Sequence, residues 1–278
     1  MPELRNDGPV FVLDLGQDEN RFSPDWITAV HGHLDSVVDH SGPAALITTS
    51  RGKFFSNGLD LDWLGAHPEE LLPYVERVQD LLARVLSLPV PTIAAVNGHA
   101  FGAGTMLALA HDFRVMRADR GYFCLPEVDI NIPFTPGMAA LIQGKLTPAA
   151  ATASMTTGHR FGAPQARELG LIDDVADLEQ LIAVADARVR PWRQGPHHPG
   201  RDQDHHVRLR PDRAARHPDR DSQRLTQRGP ARPADHRAGG PGVRHGGGHA
   251  ERGDIPDEGN ADEFDRGRAV EEDRVHPV

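Results

Sequence analysis

Apolar residues recur along the first two thirds of the chain in two alternating rhythms. Short runs enriched in apolar and β-branched residues, PVFVLDL at 9–15 and AALITTS at 44–50, read as strands. Between them Trp26, Ile27, Val30, Leu34, Val37 and Val38 fall at helical spacing, with Ser23 placed to cap the helix and Pro24 in its first turn. Val75, Val78, Leu81, Leu82, Val85 and Leu86 mark a second helix over 73–86. PVPTIAAVNG then reads as a buried strand ending at Asn97-Gly98, and AFGAGTMLALAH as a tightly packed helix of small residues. DFRVMRAD and GYFCL follow as strands, TPGMAALIQGKL as a helix, and 148–155, 163–168 and 178–189 as further helices. This alternation predicts an α/β architecture.

After about residue 190 the pattern stops. From Arg193 onward nine Val, Leu, Ile or Phe residues are scattered singly through 86 positions, among Arg, Asp, His, Pro and Gly and without a lysine. Such a composition cannot bury enough apolar surface to offset chain ordering. The expected organisation is therefore a core at 1–190 and a disordered, low-complexity tail at 191–278. Translating a GC-rich gene out of frame would yield the same abrupt switch, so a frame change is a second reading of the tail. Its histidines, including His197-His198 and His205-His206, lack cysteine partners and a regular frame, which argues against a metal site.

Charge and cysteine content narrow the function classes. A formal net charge of -10 argues against a nucleic-acid-binding surface, and aspartates interrupt the arginines of the tail. The single cysteine, Cys124, excludes an intrachain disulfide framework and argues against a structural zinc site. The start, MPELRNDGPVFVLDL, lacks the basic and apolar regions of a secretory signal, and no apolar run is long enough to span a bilayer. A soluble, cytoplasmic protein with neither nucleic-acid nor membrane partners is expected.

Three separated runs can carry chemistry. Lys53 to Leu61, KFFSNGLDL, follows a strand, and its glycine permits a turn that aims the next amide N–H into a cavity. Asn97 to Gly104, NGHAFGAG, leads from a strand into a helix whose first N–H groups lack intrahelical partners. Two free amides converging on one point suit a developing thioester oxyanion, although glycine-rich turns also serve purely structural ends. The glycines at 98, 102 and 104 do not fit the dinucleotide-binding spacing, and neither a P-loop lysine motif nor a G-x-S-x-G elbow occurs. In the third run, LPEVDI, Glu127 stands between apolar segments, where desolvation would raise its pKa and fit it as a base; a capping or surface glutamate is the alternative. His99 reads as wall or packing, Asp112 as an anchor for the turn that follows it, Asp129 as a supporting polar group and Cys124 as a buried small residue.

In order and spacing, KFFSNGLDL, then NGHAFGAG with LALAHD, then PEVDINIP resemble the crotonase (enoyl-CoA hydratase/isomerase) superfamily, most closely its Δ3,Δ2-enoyl-CoA isomerase branch. The resemblance spans roughly residues 8–188. It implies a spiral core of repeated ββα units, followed by a helical C-terminal region that assists homotrimer assembly. It implies oxyanion amides at Leu59 and Ala103, with Glu127 as the proton shuttle. Ser56, Asn57, Gly58, Leu61, Asp62, Gly102 and Met106 are the implied substrate- and CoA-contacting residues, with Gly58, Leu61 and Asp62 in a loop wrapping the thioester end. No metal or nicotinamide is implied, because CoA is part of the substrate.

Similar hydratases carry two catalytic glutamates, and this chain has Met106 where the first would stand. Methionine can neither activate water nor protonate C2. Moving a double bond asks only for proton removal at C2 and delivery at C4, which one carboxylate can perform in turn. The resemblance thus favours an isomerase of 3-enoyl-CoA in fatty-acid β-oxidation. Hydratase or another crotonase-type activity, and a catalytically impaired binding protein of the same fold, are the alternatives.

Overall fold

The computed structural model describes residues 1–192. The tail expectations therefore fall, from residue 193 on, outside the described residues. Nine strands and eight α-helices follow in order: β1 (Glu3–Asp7), β2 (Val10–Asp14), α1 (Pro24–Val38), β3 (Ala45–Thr49), β4 (Phe54–Ser56), α2 (Leu61–Ala66), α3 (Leu71–Leu86), β5 (Thr92–Val96), β6 (His99–Phe101), α4 (Ala103–Ala110), β7 (Phe113–Arg117), β8 (Phe123–Cys124), α5 (Pro136–Lys145), α6 (Pro148–Thr157), α7 (Ala163–Glu168), β9 (Asp174–Ala176) and α8 (Leu181–Val189).

The strands divide into a six-stranded sheet in the order β1-β2-β3-β5-β7-β9 and a three-stranded sheet in the order β4-β6-β8. Among the named strands of the described residues, β1 and β2 pair antiparallel and the other strand pairs are parallel. In each of the couples β3–β4, β5–β6 and β7–β8 the first strand enters the large sheet and the second the small one, and helical chain follows. This is the repeated ββα spiral that the motifs imply, an α/β crotonase-like fold.

Helices cover both faces of the large sheet, which is why its strands read as continuous apolar runs. On one face Ala45, Ile47, Ile93, Ala95 and Val115 pack against Leu181, Ala185 and Val189 of α8. On the other, Leu46, Ala94, Val96 and Met116 join the larger core with α1, α3 and α4. Ser23 caps α1 as its position predicts, its Oγ accepting from the Trp26 amide at 3.3 Å.

All eight residues of α4 are buried. Its end is tied to the large sheet by His111, whose Nδ1 lies 2.8 Å from the Leu107 carbonyl and Nε2 2.8 Å from Thr48 Oγ1. Burial holds this imidazole neutral, with its pKa lowered to about 4. The carbonyl can only accept, so Nδ1 donates and Nε2 accepts from the hydroxyl. Asp112 anchors the start of β5: its Oδ2 accepts from Thr92 N at 2.8 Å and Thr92 Oγ1 at 3.0 Å.

Close approach of α4 to β4 depends on Gly104, where an added Cβ would stand 2.3 Å from the Ser56 carbonyl oxygen. Gly104→Ala must push the two backbones apart, at a cost of about 1–3 kcal/mol. The expected result is a lower urea midpoint at unchanged m-value, and an unchanged midpoint would show that β4 and α4 separate freely.

Candidate active site

The first glycine turn is clamped from outside by residues 19–22. Asn57 N donates to the Glu19 carbonyl and Phe22 N to the Gly58 carbonyl, both at 2.8 Å. Ser56 Oγ accepts from Gly58 N at 3.1 Å while donating to the Asn20 carbonyl at 2.7 Å. Gly58 takes φ +81, a conformation costly for any other residue. A Cβ there would also stand 2.7 Å from the Phe101 carbonyl oxygen and 2.9 Å from Ala103 N. The two glycine turns are thus in contact, backbone against backbone.

The second turn passes through Gly102 at φ +51 and opens α4, with Ala103 as its first residue. Gly102 N donates to the Cys124 carbonyl at 3.0 Å, which secures the turn to β8. Among the described residues neither the Leu59 nor the Ala103 amide has an acceptor. Both residues line one cavity of about 410 Å³.

Glu127 lines the same cavity from a 3-10 turn at Pro126–Val128. That turn is closed by Asp129 N donating to the Pro126 carbonyl at 2.9 Å. The Glu127 residue is 7% exposed, and its Oε2 has no hydrogen-bond partner among the described residues. A Cβ on Gly102 would stand 3.2 Å from Glu127 Oε1, so the glycine leaves room for the carboxyl. Burial pushes the Glu127 pKa up to about 7, against a smaller downward pull from its own backbone. An acid titrating there can both take and return a proton near neutrality.

Of the residues singled out in the sequence, Asn57, Leu59, Leu61, Asp62, Gly102, Ala103 and Glu127 come together around the cavity, joined by Asp129 and Cys124. Ser56, Gly58 and Met106 do not line it. Ser56 and Gly58 shape the turn from behind, and Met106 lies 2% exposed in the apolar core. Leu61 and Asp62 do not form a wrapping loop. They open α2, where Asp60 Oδ1 accepts from Trp63 N at 3.1 Å. Asp62 is bonded to Arg21. His99 packs among Phe54, Phe101 and Tyr122, and lines no part of the cavity. Arg21, Phe101 and Arg160 are cavity residues that sequence reasoning missed. Nothing in their local pattern aims them at the site, although Arg160 follows Gly158, the left-handed cap of α6.

A ββα spiral with two partnerless amides and one buried carboxyl around a single cavity defines the crotonase class of enzyme. A family model described as enoyl-CoA hydratase/isomerase matches residues 10–216. The chain belongs to this family. It is 40% identical over 200 residues to enoyl-CoA delta isomerase 2, peroxisomal, of Arabidopsis thaliana, covering 68% of this chain and 83% of that protein. It is 37% identical over 179 residues to enoyl-CoA delta isomerase 1, peroxisomal, of the same plant, covering 62% and 74%. A crystal structure of an enoyl-CoA hydratase/isomerase family protein from Pseudomonas syringae aligns with TM-score 0.65 and 29% identity, over 68% of this chain and 82% of that one. The expectation of a cytoplasmic protein is overturned by these relatives, both of which are peroxisomal by name. Among the described residues no helix is long and apolar enough to cross a membrane.

The buried carboxyl makes stability depend on pH. Below the ordinary carboxyl value of 4.5, Glu127 is protonated in both folded and unfolded chains. As pH rises through about 7, the folded state must ionise a buried group that the unfolded chain ionised earlier. The stabilisation present at low pH is then lost, by up to about 3 kcal/mol. Glu127→Gln cannot ionise, so the variant should gain on the wild type between pH 4.5 and 8 in urea unfolding. A difference that stays constant over that range would mean that the carboxyl is not desolvated.

Proposed function

We propose that the protein is a Δ3,Δ2-enoyl-CoA isomerase in which Glu127 carries a proton from C2 to C4 of a 3-enoyl thioester. The observation that carries this reading is one buried carboxyl, poised near neutrality and without a partner on Oε2, facing the cavity lined by Leu59 and Ala103. Ionised Glu127 takes the C2 proton, and the electrons move onto the thioester oxygen to give a dienolate. The Leu59 and Ala103 amides donate to that oxygen as its charge develops. Protonated Glu127 then delivers its proton to C4, the electrons return from oxygen, and the double bond settles between C2 and C3.

Asn57, Leu61 and Asp62 would meet the CoA end of the ligand, with Gly102 leaving space beside the carboxyl. The similarity to plant enoyl-CoA delta isomerases supports the choice of reaction. So does Met106, which leaves the position of a second glutamate apolar and turned into the core. Place in fatty-acid β-oxidation and assembly as a homotrimer belong to the same reading.

Conversion of a 3-enoyl-CoA to the trans-2-enoyl-CoA without accumulation of 3-hydroxyacyl-CoA tests the reaction. Glu127→Gln should lower kcat by about 10²–10⁴-fold while CoA binding persists. A variant keeping more than about a tenth of wild-type kcat would remove Glu127 from the role of base. For the wild type, kcat/KM should rise with pH through about 7, since the ionised carboxyl starts the reaction.

Ala103→Pro removes the proposed oxyanion donor at the first position of a helix, where the missing N–H breaks no intrahelical bond. Losing one such donor costs about 10²–10³-fold in kcat. Full activity in that variant would exclude the Ala103 amide.

A further inference from the structure

The cavity wall can be followed contact by contact. At one end Arg21 is bonded to Asp62, at the start of α2. Next come the touching turns at Gly58 and Ala103, then Gly102 beside Glu127. Beyond Glu127 the wall continues through Asp129, whose carboxylate lies so close to Gly158 that a Cβ there would be 2.1 Å from Oδ2. Cys124 Sγ donates to the Gly158 carbonyl at 3.3 Å, and Arg160 also lines the cavity, its guanidinium 5.6 Å from the Phe101 ring centroid.

The two cavity arginines differ in what surrounds them. Arg21 is held by Glu19 and Asp62, with Asp60 4.0 Å away, so its end of the cavity carries more negative charge than positive. Arg160 is exposed and has no ion-pair or hydrogen-bond partner among the described residues; only the face of Phe101 attends it. A guanidinium offers five donors in a planar fork that matches a carboxylate. The proposed CoA contacts at Leu61 and Asp62 leave the wall that carries Phe101 and Arg160 to the acyl chain.

We infer that Arg160 is a specificity-determining residue that recognises an anionic group, a carboxylate, on the acyl portion of the thioester. Asp129 tempers the site, since its own carboxylate lines the same cavity and repels an anion placed closer to it than to Arg160. A purely alkyl chain would gain nothing from the guanidinium and would partly desolvate it. The preferred acyl group is therefore one that places its carboxylate at Arg160 after clearing Asp129. This rests on the reading of the cavity as an acyl-CoA site held by the Leu59 and Ala103 amides.

The test compares thioesters of equal chain length with the full-length protein. Equilibrium binding is measured for hexanoyl-CoA and for the mono-CoA thioester of adipic acid, and turnover for the 3-enoyl form of each. Wild type should favour the carboxylated ligand about tenfold or more in both measurements, as a charged hydrogen bond would supply. Arg160→Ala should collapse that ratio towards one, Arg160→Lys should retain part of it, and Asp129→Asn should raise it. If both saturated thioesters bind with equal affinity and Arg160→Ala leaves their ratio unchanged, the role of Arg160 is refuted while the acyl-CoA site stands. If neither binds, the acyl-CoA reading falls and the inference falls with it. Binding of both without isomerisation refutes only the proposed reaction, and the binding ratio still decides the role of Arg160.

Discussion

Backbone-to-backbone contact between two strand-to-helix turns is the constraint on which the site depends. Ala103 N can approach Gly58 closely because no side chain stands between them, and α4 can lie against β4 because Gly104 adds none. Each turn is fixed from outside. Residues 19–22 hold the first through main-chain bonds, and the Cys124 carbonyl holds the second. The spiral repeat delivers these partners, since β4, β6 and β8 are neighbours in one small sheet although each follows a different strand of the large sheet. An amide held this rigidly points where the fold directs it and loses little entropy when a ligand arrives. Such preorganisation is what gives a hydrogen-bond donor its value in stabilising developing charge.

The same packing that orients the amides withdraws Glu127 from water. Its 3-10 turn sits against Gly102, and its apolar neighbours supply no donor to Oε2. A carboxylate so placed is less stable than one in solvent, and the fold tolerates it by leaving the group neutral up to about pH 7. His111 shows the contrasting use of burial. It too is shifted far from its solution pKa, but both ring nitrogens are bonded, and it ties α4 to β3. A displaced pKa therefore separates a reactive group from a structural one only when partners are considered as well.

Much of this architecture was legible in the sequence because its larger elements carry strong periodic signals. α1, with its Ser23 cap, and α3 repeat apolar residues at helical spacing, and β3 and β5 are continuous buried runs. The two glycine turns and Glu127 could be found because each interrupts such a run. The elements that escaped notice are short or unburied. β4 and β6 have three residues each and merge with the glycine turns that follow. β9 is equally short, β1 is mostly exposed, and α2 buries none of its residues, so no alternation marks them. Met106 differs from the other residues singled out at the second glycine turn. It lies in α4, all of whose residues are buried, and it does not line the cavity. Arg21 and Arg160 reach the cavity from segments 139 residues apart, and only the tertiary fold brings both to its wall.

Number and bonding of carboxylates also bear on which reaction such a site can support. Hydration needs one group to activate water while another protonates carbon, two roles that pull pKa values in opposite directions. The cavity offers Glu127, buried and near neutral, and Asp129, exposed and lying against Gly158. A double-bond shift places a different demand on the site: a single group must be a good enough base to take a proton and a good enough acid to surrender it nearby. A carboxyl anchored by strong donors would be too acidic to hold the proton, and one bonded through both oxygens could not swing between neighbouring carbons. With Oε2 unengaged and the pKa set by desolvation, Glu127 meets both conditions, and in the proposed mechanism the dienolate remains on the amides while the carboxyl moves the proton.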